Sequence, residues 1–233
     1  MIDSNGCNYV DSITITQPDQ IIVSSSIQDA LCSGANNGSA SLQIIGGIPP
    51  YNQDWGIYNP NALSAGIYNF SVNDDNNCIV QGSVTVGESA AIQTIENNVN
   101  VSCYGFSDGT SNLLISGGTA PYTNNWGAND PTALSAGTYY YSVTDSLNCI
   151  LNDSVIINEP TQLLVSELLT NVSCFGLADG IAFLQISGGT APYNEDWAGI
   201  NNLALSQGNY GYTITDNNGC QTLEYLRIDP ISP

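Results

Sequence analysis

The chain has 233 residues, of which 21 are acidic, one is basic and none is His, so its formal net charge at pH 7 is −20. Because this charge repels nucleic-acid phosphates and anionic lipid headgroups, and because no apolar run is long enough to span a bilayer, we expect neither nucleic-acid binding nor membrane insertion. The absence of His and Lys excludes Ser-His-Asp, Cys-His and lysine-based nucleophiles, while 42% hydrophobic residues are enough to build a core.

One pattern of landmark residues returns every 71 residues along the chain. The landmarks are two series of Cys, one series of Trp and one series of Tyr within the phrase Leu-x-x-Gly-x-Tyr. They are Cys32, Cys103 and Cys174; Cys7, Cys78, Cys149 and Cys220; Trp55, Trp126 and Trp197; and Tyr68, Tyr139 and Tyr210. A fixed period of this length predicts a tandem array in which each repeat contacts only its neighbours.

The phase of the period sets the expected domain boundaries. Asp3–Cys7 aligns with Asp74–Cys78, which lies near the end of a repeat, so the chain is expected to open inside a truncated repeat. The expected segments are 1–18, the end of that truncated repeat; 19–89, 90–160 and 161–230, three complete repeats; and 231–233, the start of another repeat or a linker. We therefore expect the chain to be a piece of a longer protein.

Each repeat is predicted to be all-β. Short runs rich in Val, Ile, Tyr and Thr alternate apolar and polar residues, are bounded by Gly, Asn, Asp and Pro, and never sustain a helical period. In the second repeat the expected strands are Ile92–Val101, Ser111–Ser116, Tyr122–Trp126, Thr138–Thr144 and Ile150–Ile157. The phrase Leu134–Tyr139 resembles the tyrosine corner of immunoglobulin-like sandwiches. The expected fold is a tandem array of small immunoglobulin-like β-sandwiches, each with seven short strands, forming an elongated rod.

The aromatic landmarks are expected to belong to the core. A Trp on a central strand of a sandwich is more often buried than exposed, and a corner Tyr packs beside it. The predicted core residues are Trp55, Trp126, Trp197, Tyr68, Tyr139 and Tyr210. The alternative is that the three Trp are exposed platforms on which sugars stack, as in a carbohydrate-binding module.

Carboxylates in turns are the remaining candidate ligands. Asp74, Asp75, Asp108 and Asp179 are weak candidates for calcium, which prefers carboxylate and carbonyl oxygens. No EF-hand spacing is present and Asp-Gly is an ordinary turn dipeptide, so we favour a role in the turns and expect no cofactor. A carboxylate pair for glycoside hydrolysis is compatible with the composition, but no acidic pair recurs with an evident cleft. We therefore expect no catalytic residue and no enzymatic activity.

Seven Cys, with no His and no Cys-x-x-Cys pair, predict disulfides in an oxidising compartment and not a zinc site. Two pairings remain open. One lies within repeats: Cys32–Cys78, Cys103–Cys149 and Cys174–Cys220. The other joins neighbouring repeats: Cys32–Cys149 and Cys103–Cys220, with Cys7, Cys78 and Cys174 awaiting partners outside the chain. In an immunoglobulin-like fold with strands A to G, we place the first Cys of each repeat in the turn between strands A and B and the second Cys in the turn between F and G. These turns lie at opposite ends of the sandwich, roughly 23–33 Å apart. Because a disulfide needs Cα atoms within about 7 Å, this placement favours the pairing between neighbouring repeats.

The combined motif resembles the SprB repeat. The resemblance rests on Cys-x-Gly-x-x-Asp-Gly at Cys103–Gly109 and Cys174–Gly180, followed by Gly-Gly-x-x-Pro-Tyr, Trp, Leu-x-x-Gly-x-Tyr and Val-Thr-Asp-x-x-x-Cys. It covers nearly the whole chain, although Ser33–Gly38 departs from the first phrase. It implies a giant cell-surface adhesin of gliding Bacteroidota, exported by type IX secretion, displayed on the outer surface and moved by the gliding motor.

These observations predict a structural stalk segment of a secreted adhesin used in attachment and gliding motility. Its expected partners are neighbouring repeats of the same chain, surface polysaccharide and other adhesin components. The alternative is a carbohydrate- or ligand-binding module that is repeated so that many weak sites act by avidity.

Overall fold

A computed structural model describes residues 4–8 and 10–230, which contain fifteen β-strands and no helix. The first repeat has β1 (Ile22–Gln28), β2 (Ser39–Ile45), β3 (Asn52–Asp54), β4 (Gly66–Asn73) and β5 (Ile79–Val86). The second has β6 (Gln93–Val99), β7 (Thr110–Ser116), β8 (Thr123–Asn125), β9 (Gly137–Thr144) and β10 (Ile150–Ile157). The third has β11 (Leu164–Thr170), β12 (Ile181–Ser187), β13 (Asn194–Asp196), β14 (Gly208–Thr215) and β15 (Gln221–Ile228).

Each set of five strands lies within one of the expected segments 19–89, 90–160 and 161–230. The predicted segment 231–233 lies outside the described residues, as do residues 1–3 and 9 of the predicted segment 1–18. In the part of the chain that the structure describes, no helix has the length and apolar character needed to cross a membrane.

The all-β prediction is confirmed, and the five strands expected in the second repeat correspond one to one with β6–β10. The expected total of seven strands per repeat is wrong, because the described residues form five. The stretch between β8 and β9 is folded into turns: Asn129 N–H donates to the Trp126 carbonyl, and Ala133 N–H donates to the Asp130 carbonyl. Its Gly, Asn, Asp and Pro residues favour such turns over an additional strand.

The described residues divide into two compact units. Unit 1 comprises Met1–Ala91, Gly117–Ala120 and Ser146–Cys149. In it β1 and β2 pair antiparallel, and β4 lies between β3 and β5 in a second antiparallel sheet. Alternate residues of β4 point inward, because side chains in a strand alternate between its two faces. The core between the sheets is Ile21, Ala40, Trp55, Leu63, Tyr68, Phe70, Val72, Val84 and Val86.

Unit 2 comprises Ile92–Ser116, Pro121–Asp145 and Ile150–Pro233. It contains the strands of the second and third repeats, and each repeat shows the same pairing: a two-stranded sheet, β6-β7 or β11-β12, and a three-stranded sheet, β8-β9-β10 or β13-β14-β15. The buried core of the third repeat is Val172, Ala182, Trp197, Leu205, Tyr212, Ile214, Leu226 and Ile228. The chain is therefore a tandem series of small β-sandwich repeats.

The recurring Gly-Gly phrase has a steric cause. In the third repeat Gly188 has a φ of +71°, and a Cβ atom there would lie 1.9 Å from the Gln162 carbonyl oxygen. Gly46 is under the same constraint in the first repeat, with a φ of +73° and 2.0 Å to the Gln20 carbonyl oxygen. Only glycine lets the chain turn this closely against the segment that enters each repeat.

Candidate functional site

The candidate functional site is the place where a loop of one repeat meets a turn of the next. We call the loop between the first and second strands of a repeat the bridge loop; it spans residues 29–38, 100–109 and 171–180 in the three repeats. We call the turn between the fourth and fifth strands the bridge turn; it spans residues 74–78, 145–149 and 216–220. Each bridge loop and each bridge turn carries one Cys.

Two carboxylates hold the bridge loop of the second repeat in shape. Asp108 accepts a hydrogen bond from the backbone N–H of Ser102 at 3.0 Å and another from the Ser102 hydroxyl. Glu159, just after β10, accepts one from the backbone N–H of Gly105 at 2.7 Å. Cys103 lies between these anchors and is only 6% exposed. The loop therefore presents the Cys103 side chain in a fixed position.

A buried carboxylate organises the bridge turn of the third repeat. Asp216 accepts hydrogen bonds from the backbone N–H groups of Asn218 and Cys220, both at 2.9 Å. Its second oxygen accepts one from the N–H of Thr190 at 2.8 Å. Because a buried carboxylate needs several donors, this arrangement fixes the turn and, with it, the position of Cys220.

The structure joins each of two bridge loops to the bridge turn of the following repeat. Cys32 forms a disulfide with Cys149, with Cα atoms 5.5 Å apart, and Cys103 forms one with Cys220, at 5.6 Å. Both bonds span 117 residues of sequence. The Asn218 side-chain amide reinforces the second junction by donating to the Ser102 carbonyl at 3.1 Å. These are the pairs expected between neighbouring repeats, and the within-repeat pairs are not formed.

Three of the carboxylates that shape these junctions, Glu88, Glu159 and Asp216, were not predicted from the sequence. Glu159 and its counterpart Glu88, which accepts from the backbone N–H of Gly34 at 2.6 Å, lie 71 residues apart just after the last strand of a repeat. Asp216 recurs as Asp74, and both are buried. The 71-residue period could have revealed these carboxylates, because acidic residues that recur in turns at this spacing can be aligned between repeats in the same way as the Cys.

The four calcium candidates take separate positions, and three of them serve the turns. Asp74 accepts backbone hydrogen bonds in its own bridge turn, including one from Cys78 at 2.8 Å. Asp75 is exposed. Asp108 and Asp179 accept hydrogen bonds from the Ser that begins each Ser-Cys pair. Within residues 4–8 and 10–230 no three His, Cys, Asp or Glu side chains are grouped so as to hold a metal ion.

The first repeat shows that the position of Asp108 does not require a charge. Its counterpart there is Asn37, whose amide oxygen accepts a hydrogen bond from the Leu31 backbone N–H at 2.9 Å. A neutral acceptor thus makes the same hydrogen bond to the loop backbone. This is expected of a residue that caps a loop, and not of a residue that binds a cation.

We expect the melting temperature to be unchanged when calcium or EDTA is added. If calcium bound the folded state, a free calcium concentration of about 100 times the Kd would stabilise that state by about 2.7 kcal/mol. This would raise the melting temperature by roughly 5–10 °C for a chain of this size. Thermal melts in millimolar calcium and in excess EDTA provide the comparison, with magnesium as the control ion. An EDTA-induced fall of roughly 5 °C or more would establish a calcium site and overturn the turn assignment.

Acid should remove part of the stability that the capping carboxylates provide. The hydroxyl and then the backbone N–H of Ser102 hold the pKa of Asp108 below its ordinary value of 3.8, and Ser173 does the same for Asp179. A depressed pKa in the folded state means that this stability is present above pH 3.8 and is lost as the pH falls through the lower, folded value.

The Asp108→Asn variant isolates this effect, because Asn37 shows that an amide can fill the position. We expect wild-type protein to melt at a higher temperature than Asp108→Asn near neutral pH, and the difference to decrease once the pH falls below about 3.8 and to vanish as it falls through the lower pKa of folded Asp108. Melts between pH 2 and 7 measure it. A difference that is constant with pH would mean that ionised Asp108 contributes nothing specific.

The three Trp lie in the cores of the sandwiches. Trp55, Trp126 and Trp197 are 6–7% exposed, and each packs against an aromatic residue of the fourth strand at 4.7–5.3 Å between ring centroids. Their ring faces are therefore covered by protein, which argues against sugar-stacking platforms at these positions.

The corner Tyr residues make the hydrogen bond that is typical of a tyrosine corner, but two of them are less buried than predicted. The hydroxyls of Tyr68, Tyr139 and Tyr210 donate to the carbonyls of Ser64, Ser135 and Ser206 at 3.0, 3.0 and 2.8 Å. Tyr68 is buried, whereas Tyr139 and Tyr210 are half-buried, so the prediction that these two are core residues needs correction. The reason is that the bonded Ser carbonyl lies near the surface, and the phenol must reach it.

A phenol–carboxylate pair that the sequence analysis missed joins the two sheets. Tyr141 on β9 donates to Glu96 on β6 at 2.7 Å, and burial raises the pKa of Tyr141 to about 12. Tyr212 and Glu167 repeat the contact at 2.7 Å in the third repeat. The first repeat replaces both members, with Phe70 for the Tyr and Ser25 for the Glu. A Tyr–Glu hydrogen bond thus joins the two sheets in the second and third repeats, and the first repeat lacks it.

Comparison with known proteins finds similarity between this chain and one repeat family. No curated protein matches the chain significantly. Three segments, residues 24–55, 95–130 and 167–202, match the family described as the SprB repeat. Each match runs from the first strand of a sandwich to the Trp segment, and so includes a bridge loop and its Cys. The chain thus contains three matches to the SprB repeat family, one in each of its β-sandwich repeats.

Proposed function

We propose that the chain is a stalk segment of a large secreted cell-surface adhesin that acts in attachment and gliding motility. The observation that carries the proposal is the pair of disulfides, each of which joins a bridge loop to the bridge turn of the following repeat. A bond at this place transmits tension from one repeat to the next without relying on the noncovalent contacts between them. This is a property that a load-bearing stalk needs and that an isolated binding domain does not.

Three further features support a role outside the cell. The match to the SprB repeat is to a family whose members occur in extracellular surface proteins. Disulfides persist in oxidising compartments and are rare in the cytosol of most organisms. The net charge of −20 keeps neighbouring molecules apart in solution and on a crowded surface. Export by the type IX system and movement by a gliding motor belong to the same proposal.

A second candidate function is a ligand-binding module that acts by avidity. It is favoured by an open groove of about 760 Å³ beside the three-stranded sheet of the first repeat, with Tyr58, Asn69 and Gln81 among its lining residues. An aromatic ring beside side-chain amides is a surface that suits a sugar. A repeated weak site would gain strength from multivalency.

The two functions predict different effects on attachment when the repeats are replaced or deleted. In the parent protein, replacing these three repeats by three disulfide-linked β-sandwich repeats of unrelated surface should preserve attachment if they are a stalk, whereas deleting them should reduce it. Unpermeabilised cells should also be labelled by antibodies against the chain. The stalk function would be contradicted if the purified chain bound surface polysaccharide saturably, and if this binding were lost in Tyr58→Ala but kept in the exposed control Tyr225→Ala. That result would favour the ligand-binding module.

A further inference from the structure

The two disulfides overlap along the chain. One joins Cys32 to Cys149 and the other joins Cys103 to Cys220, so each bond has one of its ends inside the loop that the other bond closes. Together they divide the bridged part of the chain into three stretches. These stretches run over residues 32–103, 103–149 and 149–220, and they contain 71, 46 and 71 residue steps. The two bonds therefore act jointly on the length to which the chain can be pulled.

The shortest covalent route between the outermost bridged Cys runs backwards through the second repeat. From Cys32 it crosses the first bond to Cys149, returns along the chain to Cys103 and crosses the second bond to Cys220. This route contains 46 residue steps, whereas the backbone route contains 188 and the two routes that use one bond contain 71 each. Because the shortest route limits extension, the stretch between Cys103 and Cys149 tightens first, and the two stretches of 71 steps stay slack.

The stretch that tightens first is the middle of the second repeat. It contains β7, β8 and β9, together with the buried Trp126 and Leu134. The antiparallel partners of β7 and β9 are β6 and β10, and both lie on the slack stretches. Load therefore acts on the three middle strands of this repeat, while the two strands that flank them carry no tension once the chain has been pulled open.

We propose that the overlapping bonds act as a stop, which limits how far load can lengthen this part of the chain after its repeats unfold. The 46 steps between Cys103 and Cys149 extend to roughly 170 Å, whereas the 188 steps of the backbone route would extend to roughly 680 Å. The stop does not require the bonds to prevent unfolding, since it depends only on their overlap. This inference rests on the proposed load-bearing role and adds what happens when the load exceeds the strength of the fold.

Single-molecule force extension of the full chain tests the stop. The protein is oxidised, its remaining thiols are blocked with iodoacetamide, and DNA handles are attached to both termini. The contour length after complete unfolding is measured in the wild type, in two variants that each lack one bond, and in a variant that lacks both. The variants are Cys32→Ala/Cys149→Ala, Cys103→Ala/Cys220→Ala and the combination of all four substitutions.

Overlap predicts increases in length that do not add. With one bond left, the shortest route between the termini is 25 steps longer than in the wild type, so we expect either two-substitution variant to lengthen by about 90 Å. Loss of both bonds releases 142 steps, so the four-substitution variant should lengthen by about 510 Å, almost three times the sum of the separate effects. Reduction of the wild type in the instrument should release the same length, which keeps the test independent of how well the variants fold.

Cys174→Ala is the matched control, because it removes a free thiol in the third bridge loop and should leave the contour length unchanged. If the bonds lay within repeats, this substitution would release 46 steps, about 170 Å. Such an increase, or one well above about 90 Å in either variant that lacks one bond, would overturn the inference. The attachment experiment on the parent protein does not depend on these lengths. Preserved attachment after replacement of the repeats would still support a stalk without a stop, and lost attachment would contradict the stalk even where the stop is found.

Discussion

Trp197→Ala is expected to lower the free energy of unfolding of unit 2 by about 3–5 kcal/mol. Trp197 is 7% exposed and stacks on Tyr212 with ring centroids 4.7 Å apart, within the core that also contains Leu205. Truncation removes this contact and leaves a cavity that a small two-sheet core has little capacity to refill. Denaturant titrations followed by far-ultraviolet circular dichroism measure the loss without depending on the deleted fluorophore.

Tyr225→Ala is the matched control for this substitution. Tyr225 lies on β15 of the same repeat but is 72% exposed, so its removal should change the free energy of unfolding by less than about 0.5 kcal/mol. A similarly small effect for Trp197→Ala would mean that the indole is not a core residue, and would return the three Trp to the role of exposed sugar platforms.

Replacing both Cys103 and Cys220 by Ala is expected to lower the free energy of unfolding by about 2–5 kcal/mol. The bond joins two residues that are 117 positions apart in the sequence, and it therefore strongly restricts the unfolded chain. The double substitution avoids leaving one unpaired thiol. Denaturant titration of oxidised wild-type and variant proteins measures the difference, which should disappear when both are reduced.

Cys174→Ala serves as the control because it occupies the same position in the next bridge loop but carries a free, exposed thiol. It should change stability by less than about 0.5 kcal/mol in the monomer. If Cys174→Ala destabilised the chain as much as the double variant, the loss would have to come from the loop and not from the bond.

Much of the fold follows from local patterns in the sequence. Alternating apolar residues located all five strands of the second repeat, because each has one face on the core and one in solvent. The Leu-x-x-Gly-x-Tyr phrase was predicted to resemble a tyrosine corner, and the Tyr139 hydroxyl donates to the Ser135 carbonyl, as the Tyr of such a corner does. The excess strands were predicted from analogy with larger sandwiches, and the turn-rich stretch between β8 and β9 does not support them.

The parts that were not predicted depend on contacts between distant segments. Whether Asp108 binds a cation or caps Ser102 depends on a turn geometry that spacing does not specify. The pairing of Glu96 with Tyr141 crosses from one sheet to the other, and neither strand's period reveals it. The choice between the two Cys pairings is a topological one as well, and the sequence favoured one pairing only through an assumed placement of strands.

The central claim is that disulfides join neighbouring repeats, and peptide mapping of the oxidised protein tests it most directly. Because Arg227 is the one basic residue, digestion requires an Asp- or Glu-directed protease or chymotrypsin under non-reducing conditions, followed by mass spectrometry. We expect linked peptides that contain Cys32 with Cys149 and Cys103 with Cys220. Linked peptides that contain Cys32 with Cys78, Cys103 with Cys149 and Cys174 with Cys220 would show repeats locked one by one, and would contradict the account of a covalently joined stalk.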